Sequence, residues 1–95
     1  GEHQKAIACY EKAIRIDPNY INAYNNLGTI LGELNRVNEA KKNFEKSLNL
    51  NPNIKKTLEG YGNILLKIGE HHEALAYIKK GTGIIRFTQK DFKIL

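Results

Sequence analysis

Residues 21–54 read INAYNNLGTILGELNRVNEAKKNFEKSLNLNPNI, and this stretch decides the fold. It holds two helix-length segments on either side of a polar break at Asn35–Arg36. It closes on Asn51-Pro52-Asn53, where a helix stops because Pro52 has no amide hydrogen and biases Asn51 toward extended backbone. Laid over its neighbours, the stretch recurs. Ala6, Ala40 and Ala74 are evenly spaced, since 40−6 equals 74−40, and bulky Tyr10, Phe44 and Ile78 follow the same step. That step also relates Ala13, Ser47 and Gly81, the glycines Gly28 and Gly62, and the breakers Pro18 and Pro52. A fixed period of this size marks a stack of similar supersecondary units.

The period and its residues resemble the tetratricopeptide repeat, whose pattern places an aromatic, Leu-Gly and Tyr on a first helix, Ala-x3-Phe-x2-Ala on a second, and a closing Pro. The complete copy holds Tyr24, Leu27, Gly28, Leu31, Ala40, Phe44, Ser47 and Pro52 at those places. The following copy holds Leu58, Tyr61, Gly62, Leu65, Ala74, Ile78 and Gly81, with Arg86 in place of the proline. Only the second helix of an earlier copy is present, carrying Ala6, Tyr10, Ala13 and Pro18. The resemblance implies an all-α fold, an antiparallel helix-pair solenoid wound into a right-handed superhelix. It divides the chain into a repeat array over 1–84 (a truncated repeat at 1–20, a complete one at 21–54, a degenerate last one at 55–84) and a tail at 85–95. A chain that opens on a second helix is expected to be a piece of a longer array.

Helices are expected over Gly1–Ile16, Tyr20 or Ile21 to Leu34, Val37–Leu50, Ile54–Ile68 and His71–Lys80. On the first, Ile7, Tyr10 and Ile14 share a face that a missing partner helix would cover, so partial exposure and self-association through that face are expected. Burying each such side chain stabilises by roughly 1.5–3 kcal/mol. Tyr24 is expected at the edge of the packed stripe formed by Ala23, Leu27, Ile30, Leu31 and Leu34. Gly28 permits close helix contact, whereas Gly32 has no packing reason visible in the sequence. Gly60 and Gly62 fall in one helix and should make it the least stable; Gly81 and Gly83 should end the last helix early. The tail reads two ways. Ile84–Phe87 suits a strand or a linker into a further domain, and Thr88 with Phe92, Ile94 and Leu95 suits a capping helix.

Composition excludes several classes. The chain is 41% hydrophobic and 26% charged, as ordinary globular chains are, and no apolar run approaches a membrane span. Cys9 is the only cysteine, so no internal disulfide forms, and a reducing, cytoplasmic setting is the expectation. The net charge of +5 is spread over mixed faces, Lys41, Lys42, Lys46, Lys79 and Lys80 alternating with Glu39, Glu45, Glu70 and Glu73. Arg86, Lys90 and Lys93 are more one-sided. No Ser/His/Asp set, CxxC, phosphate loop or HExxH is present, so neither catalysis, nor a metal, nor a cofactor is expected. His71 and His72 are adjacent and diverge on a helix; His3 is the equivalent of His71 two periods earlier.

Recognition is what the resemblance implies. First helices of successive tetratricopeptide repeats line a concave groove that takes an extended peptide or a partner helix. The groove positions fall on Asn22, Asn25, Asn26, Thr29 and Glu33 in one copy and on Lys56, Glu59, Asn63 and Lys67 in the next, with Gly32 and Leu66 as less polar spots. Asparagine offers a donor and an acceptor and so can pair with a peptide backbone. Tyr24-Asn25-Asn26-Leu27-Gly28 resembles the asparagine-ladder repeats of O-GlcNAc transferase, Asn26 standing at the ladder place and Gly60 interrupting it in the next copy. Asn26 and Lys56 also match two places of the carboxylate clamp of chaperone-binding repeats, but Gly60 replaces the clamp arginine. The expected partner is therefore another protein or peptide. The rival expectations are a helical repeat that binds nucleic acid through its basic faces, and the non-catalytic arm of a larger enzyme.

Overall fold

The computed structural model describes residues 1–82, which form five helices: α1 (Glu2–Ile16), α2 (Ile21–Glu33), α3 (Val37–Leu50), α4 (Lys55–Ile68) and α5 (His71–Thr82). Each helix packs on the next, and α2 also touches α4. That is the contact pattern of a solenoid of antiparallel helix pairs, in which burial comes from neighbours and not from one central core. The strand, cap and linker expectations for Ile84–Leu95 lie outside the described residues, as do Gly83, Arg86, Lys90 and Lys93. No described helix is long and apolar enough to cross a membrane.

The helix ends repeat with the sequence. Asp17 and Asn51 each accept a hydrogen bond on their side-chain Oδ1, from the amides of Asn19 (3.1 Å) and Asn53 (3.0 Å), which shapes the turns around Pro18 and Pro52. At the other ends the chain turns through left-handed backbone at Asn35 (φ 63°) and Gly69 (φ 100°). In both turns the following amide reaches back past the cap: Arg36 to the Leu31 carbonyl at 2.8 Å, Glu70 to the Leu65 carbonyl at 2.9 Å. Asparagine and glycine are the residues that tolerate this conformation, so the polar breaks in the sequence are left-handed helix caps.

Packing within each pair depends on a missing side chain. A Cβ on Gly28 would stand 2.7 Å from the Phe44 ring, and a Cβ on Gly62 2.5 Å from Ile78 Cγ1. The same economy joins the pairs, because a Cβ on Gly60 would stand 2.6 Å from the opposite edge of Phe44. Phe44, 1% exposed, is thus sandwiched between α2 and α4. Gly60 is therefore a packing requirement, not simply a weak point of α4. Gly32 has a packing neighbour but no such requirement: its Cβ would meet only the movable end of Ile64, Cδ1 at 3.0 Å. Gly81 does not end α5, which continues to Thr82; the residue lies close to the Leu58 and Glu59 side chains, where a larger side chain would collide.

Of the expected core, Tyr24, Leu27, Gly28, Leu31, Ala40, Phe44, Ser47, Tyr61, Gly62, Leu65 and Ala74 are buried. Tyr24 is not an edge residue: it is buried, and its hydroxyl donates to the Pro18 carbonyl at 2.8 Å. Ala6, Tyr10, Ala13 and Ile78 are half-buried, and Pro52 is exposed because its work is in the turn. Ile7 departs from expectation by being buried against the core, while Tyr10 and Ile14 are half-buried. The face of α1 therefore leaves less apolar surface open than its sequence suggests.

A candidate peptide groove between the first helices

On α2, Asn22, Asn26, Thr29 and Glu33 follow one another at steps of four, three and four; on α4, Lys56, Gly60, Asn63 and Lys67 do the same. Such spacing keeps each set on one helix face. Each member of the first set stands one full period before its counterpart in the second. Two contacts tie the stripes. Lys56 Nζ donates to Asn26 Oδ1 at 3.0 Å, and Lys67 Nζ donates to the Gly32 carbonyl at 3.0 Å.

Between the stripes lies an open hollow of about 480 Å³. Its floor is Phe44 and Ile64, its walls are Gly28, Gly32 and Gly60, and its rim carries Thr29, Glu33, Asn63, Leu66 and Lys67. The hollow exists because three glycines withhold side chains from the α2–α4 seam while Phe44 fills the seam from below. Leu66, 36% exposed, offers an apolar edge beside it. The volume falls in the range of ligand-sized clefts, an apolar floor with a few polar groups above it.

Two of the nine residues expected in the groove are placed elsewhere, and they are the same repeat position, 25 and 59. Asn25 is 1% exposed and accepts a hydrogen bond from Thr57 Oγ1 at 2.8 Å; Thr57 in turn lies 2.9 Å from Ser47 Oγ. With the Thr57 hydrogen directed to Asn25, Ser47 is the donor to Thr57. This buried relay joins α2, α4 and α3. Glu59 is half-buried and leans toward α5, its Cγ 3.0 Å from where a Cβ on Gly81 would stand. Position 25 is one step from 26, a turn of about 100° around the helix, enough to carry a side chain from the groove into the seam. Asn22, Asn26 and Lys56 lie on the stripes but not at the hollow, which brings together Thr29, Glu33, Asn63 and Lys67. Sequence reasoning missed Thr57, Ile64 and the floor role of Phe44. A small polar residue at 57 carries no local signal of its partners Ser47 and Asn25, which lie far from it along the chain.

The charges differ between this face and the rest. Lys56 and Lys67 rest on neutral oxygens, so neither ammonium is neutralised by its contact, while Glu33 lies 3.3 Å from His3 Nε2 on α1. By contrast, another depression, of about 420 Å³ beside Ile14 and Tyr24, is edged by Arg36 and Glu39, which satisfy one another at 2.9 and 2.7 Å. The Arg36 hydrogen bonds hold the Glu39 carboxyl below the usual carboxylate range. Among the described residues, no cluster of three His, Cys, Asp or Glu side chains is arranged to hold a metal ion.

Among solved structures, a MamA chain described as MSR-1 C2 is 28% identical with a TM-score of 0.77, covering 92% of this chain and 50% of that one. A second, titled crystal structure of MamA, is 26% identical with a TM-score of 0.80, covering 95% and 53%. The chain thus spans about half the length of these MamA chains. The second TPR of Spaghetti (RPAP3), bound to the HSP90 peptide SRMEEVD, superposes with a TM-score of 0.82 over 86% of this chain and 76% of its own, at 21% identity, a likeness of fold alone. No curated protein sequence matches. Three family profiles do, a TPR repeat over residues 1–35 and tetratricopeptide repeats over 21–54 and 56–87. With the repeating caps, the glycine-seated second helices and these consecutive matches, the chain belongs to the tetratricopeptide repeat family.

Proposed function

We propose that this chain is a protein-interaction module that receives a partner segment along the α2–α4 face. The observation that carries the reading is the hollow itself: apolar floor, three glycine walls, and a rim of side chains that both donate and accept. Asn26 and Asn63 would pair with the partner backbone, and Thr29, Lys56, Glu33 and Lys67 would set its side-chain preferences. Asn22 extends the stripe beyond the hollow. The division into repeats at 1–20, 21–54 and 55–84 belongs to the same reading, each first helix adding one stripe. The asparagine-ladder likeness rests on Asn26 alone, since Gly60 stands at the next rung. The clamp likeness fails at the same residue, so the SRMEEVD peptide is expected to bind weakly or not at all.

The test is a display selection of random peptides against the chain, with mixed oligonucleotides alongside, each at low and high salt. Selected peptides that survive salt and lose about tenfold in affinity in Asn26→Ala with Asn63→Ala, at unchanged melting temperature, support the groove. Selected peptides indifferent to both substitutions overturn it. Oligonucleotide binding that collapses with salt, without peptide binding, would move recognition to the basic faces.

A further inference from the structure

The hollow also says what chemistry its occupant carries, an inference that rests on the groove reading above. Its floor and walls are Phe44, Ile64 and the backbone of Gly28, Gly32 and Gly60, and none of these supplies a side-chain hydrogen bond. A polar side chain placed there would lose water without replacement partners, whereas a bulky apolar one would gain by leaving water. Exposed Leu66 prolongs the apolar surface at the rim. Flanking the hollow on α4 stand Lys56 and Lys67, three helical turns and so about 16 Å apart along the helix axis. Both point to neutral acceptors, the Asn26 side-chain oxygen and the Gly32 carbonyl, leaving two positive charges without carboxylate partners in the groove among the described residues. One carboxylate, Glu33, stands on the rim itself with its Oε1 3.3 Å from His3 Nε2 on α1, and Glu59 leans away toward α5.

We propose that the α2–α4 groove selects an extended acidic segment with one bulky apolar side chain: the apolar group seats over Phe44 between the three glycines, and a carboxylate on each side reaches Lys56 and Lys67. A separation of about 16 Å corresponds to about four to five residues of extended chain. Of these, a step of four puts both acidic side chains and the residue midway between them on one face, the lysine stems spanning the remainder. The ligand is therefore an internal segment with its two acidic side chains at that spacing and the anchor between them, and it needs no free C-terminus.

Fluorescence anisotropy with capped synthetic peptides tests this. The parent peptide has two glutamates at the proposed spacing, a phenylalanine midway and serines elsewhere, N-acetylated and C-amidated. Replacing its phenylalanine by alanine is expected to weaken binding at least tenfold, and replacing both glutamates by glutamine to weaken it several-fold and abolish its salt dependence. On the protein, Lys56→Glu with Lys67→Glu should remove the preference for the acidic peptide. Gly32→Ala, which narrows the hollow while meeting only the far end of Ile64, should weaken the phenylalanine peptide and leave the alanine peptide unchanged. Equal affinity for the phenylalanine and alanine peptides, or for the glutamate and glutamine ones, would overturn the proposal, as would no binding of the parent peptide. If the display selection still yields groove-dependent peptides without an apolar anchor, the groove stands and this specificity falls. If the selection yields none, the groove reading falls with it.

Discussion

Phe44 occupies the space that a side chain on Gly60 would need: a Cβ there would lie 2.6 Å from the ring, as one on Gly28 would at 2.7 Å from the ring's other edge. One aromatic side chain therefore fixes the spacing of both first helices and sets the depth of the hollow between them.

Phe44→Ala is expected to cost roughly 3–5 kcal/mol as a large-to-small core change. Gly60→Ala should destabilise by about 1–3 kcal/mol through overpacking, although alanine is the better helix former. Combining them should reverse the sign of the glycine substitution, because with the ring gone Gly60→Ala keeps only its propensity gain of about 1 kcal/mol. Urea denaturation of the four proteins in the cycle measures this; simple additivity would contradict the sandwich.

The buried relay from Ser47 through Thr57 to Asn25 should be intolerant of losing its middle member. Thr57→Val keeps the shape but leaves Asn25 Oδ1 and the Ser47 hydroxyl without their partner, for an expected loss of about 1–3 kcal/mol. Thr57→Ser retains the hydroxyl and should cost less. Thermal melts of the pair check the ranking.

Two glycines should respond oppositely to alanine. Gly69 has φ 100°, so Gly69→Ala should destabilise by about 1–2 kcal/mol even with open space around it. Gly32, in the last turn of α2, does not need left-handed backbone and meets only the movable tip of Ile64, so Gly32→Ala should be neutral or stabilising by up to about 1 kcal/mol. Denaturation midpoints of the two variants decide it.

Tyr61 gives a pH dependence with a defined sign. Its burial, and then the hydrogen bond it donates to Glu45 at 2.9 Å, push its hydroxyl well above the ordinary tyrosine value of 10.0. The folded state then holds this proton more tightly than the unfolded chain does. The contribution is fully present below pH 10.0 and is lost as pH rises above it. Stability should therefore fall through the alkaline range, and less steeply in Tyr61→Phe. Ultraviolet titration should show a tyrosine that ionises only well above pH 10.0 and is missing from Tyr61→Phe.

The sequence by itself determined the period, the breaks and the packed stripes. Pro18, Asn35, Pro52 and Gly69 punctuate the chain through backbone preferences that act locally, so the ends of α2, α3 and α4 fall close to where the pattern puts them. Phe44, Leu27 and Ala40 were legible as core for a similar reason: helical spacing repeated in every period leaves one consistent inward face. Tertiary structure alone decided what lies at the borders of that face. First helices here pack on three neighbours, α2 on α1, α3 and α4, and α4 on α3, α5 and α2, so their buried stripe is wider than an isolated helix pair would require. That width takes Asn25 into the Thr57–Ser47 relay and turns Glu59 toward α5, leaving Asn26 and Asn63 at the groove. The hollow was equally out of reach, since it is made of atoms that three glycines lack. Absent atoms have no signature along a chain. Their meaning appears only when Phe44, midway in sequence between Gly28 and Gly60, arrives from the opposite helix to meet them both.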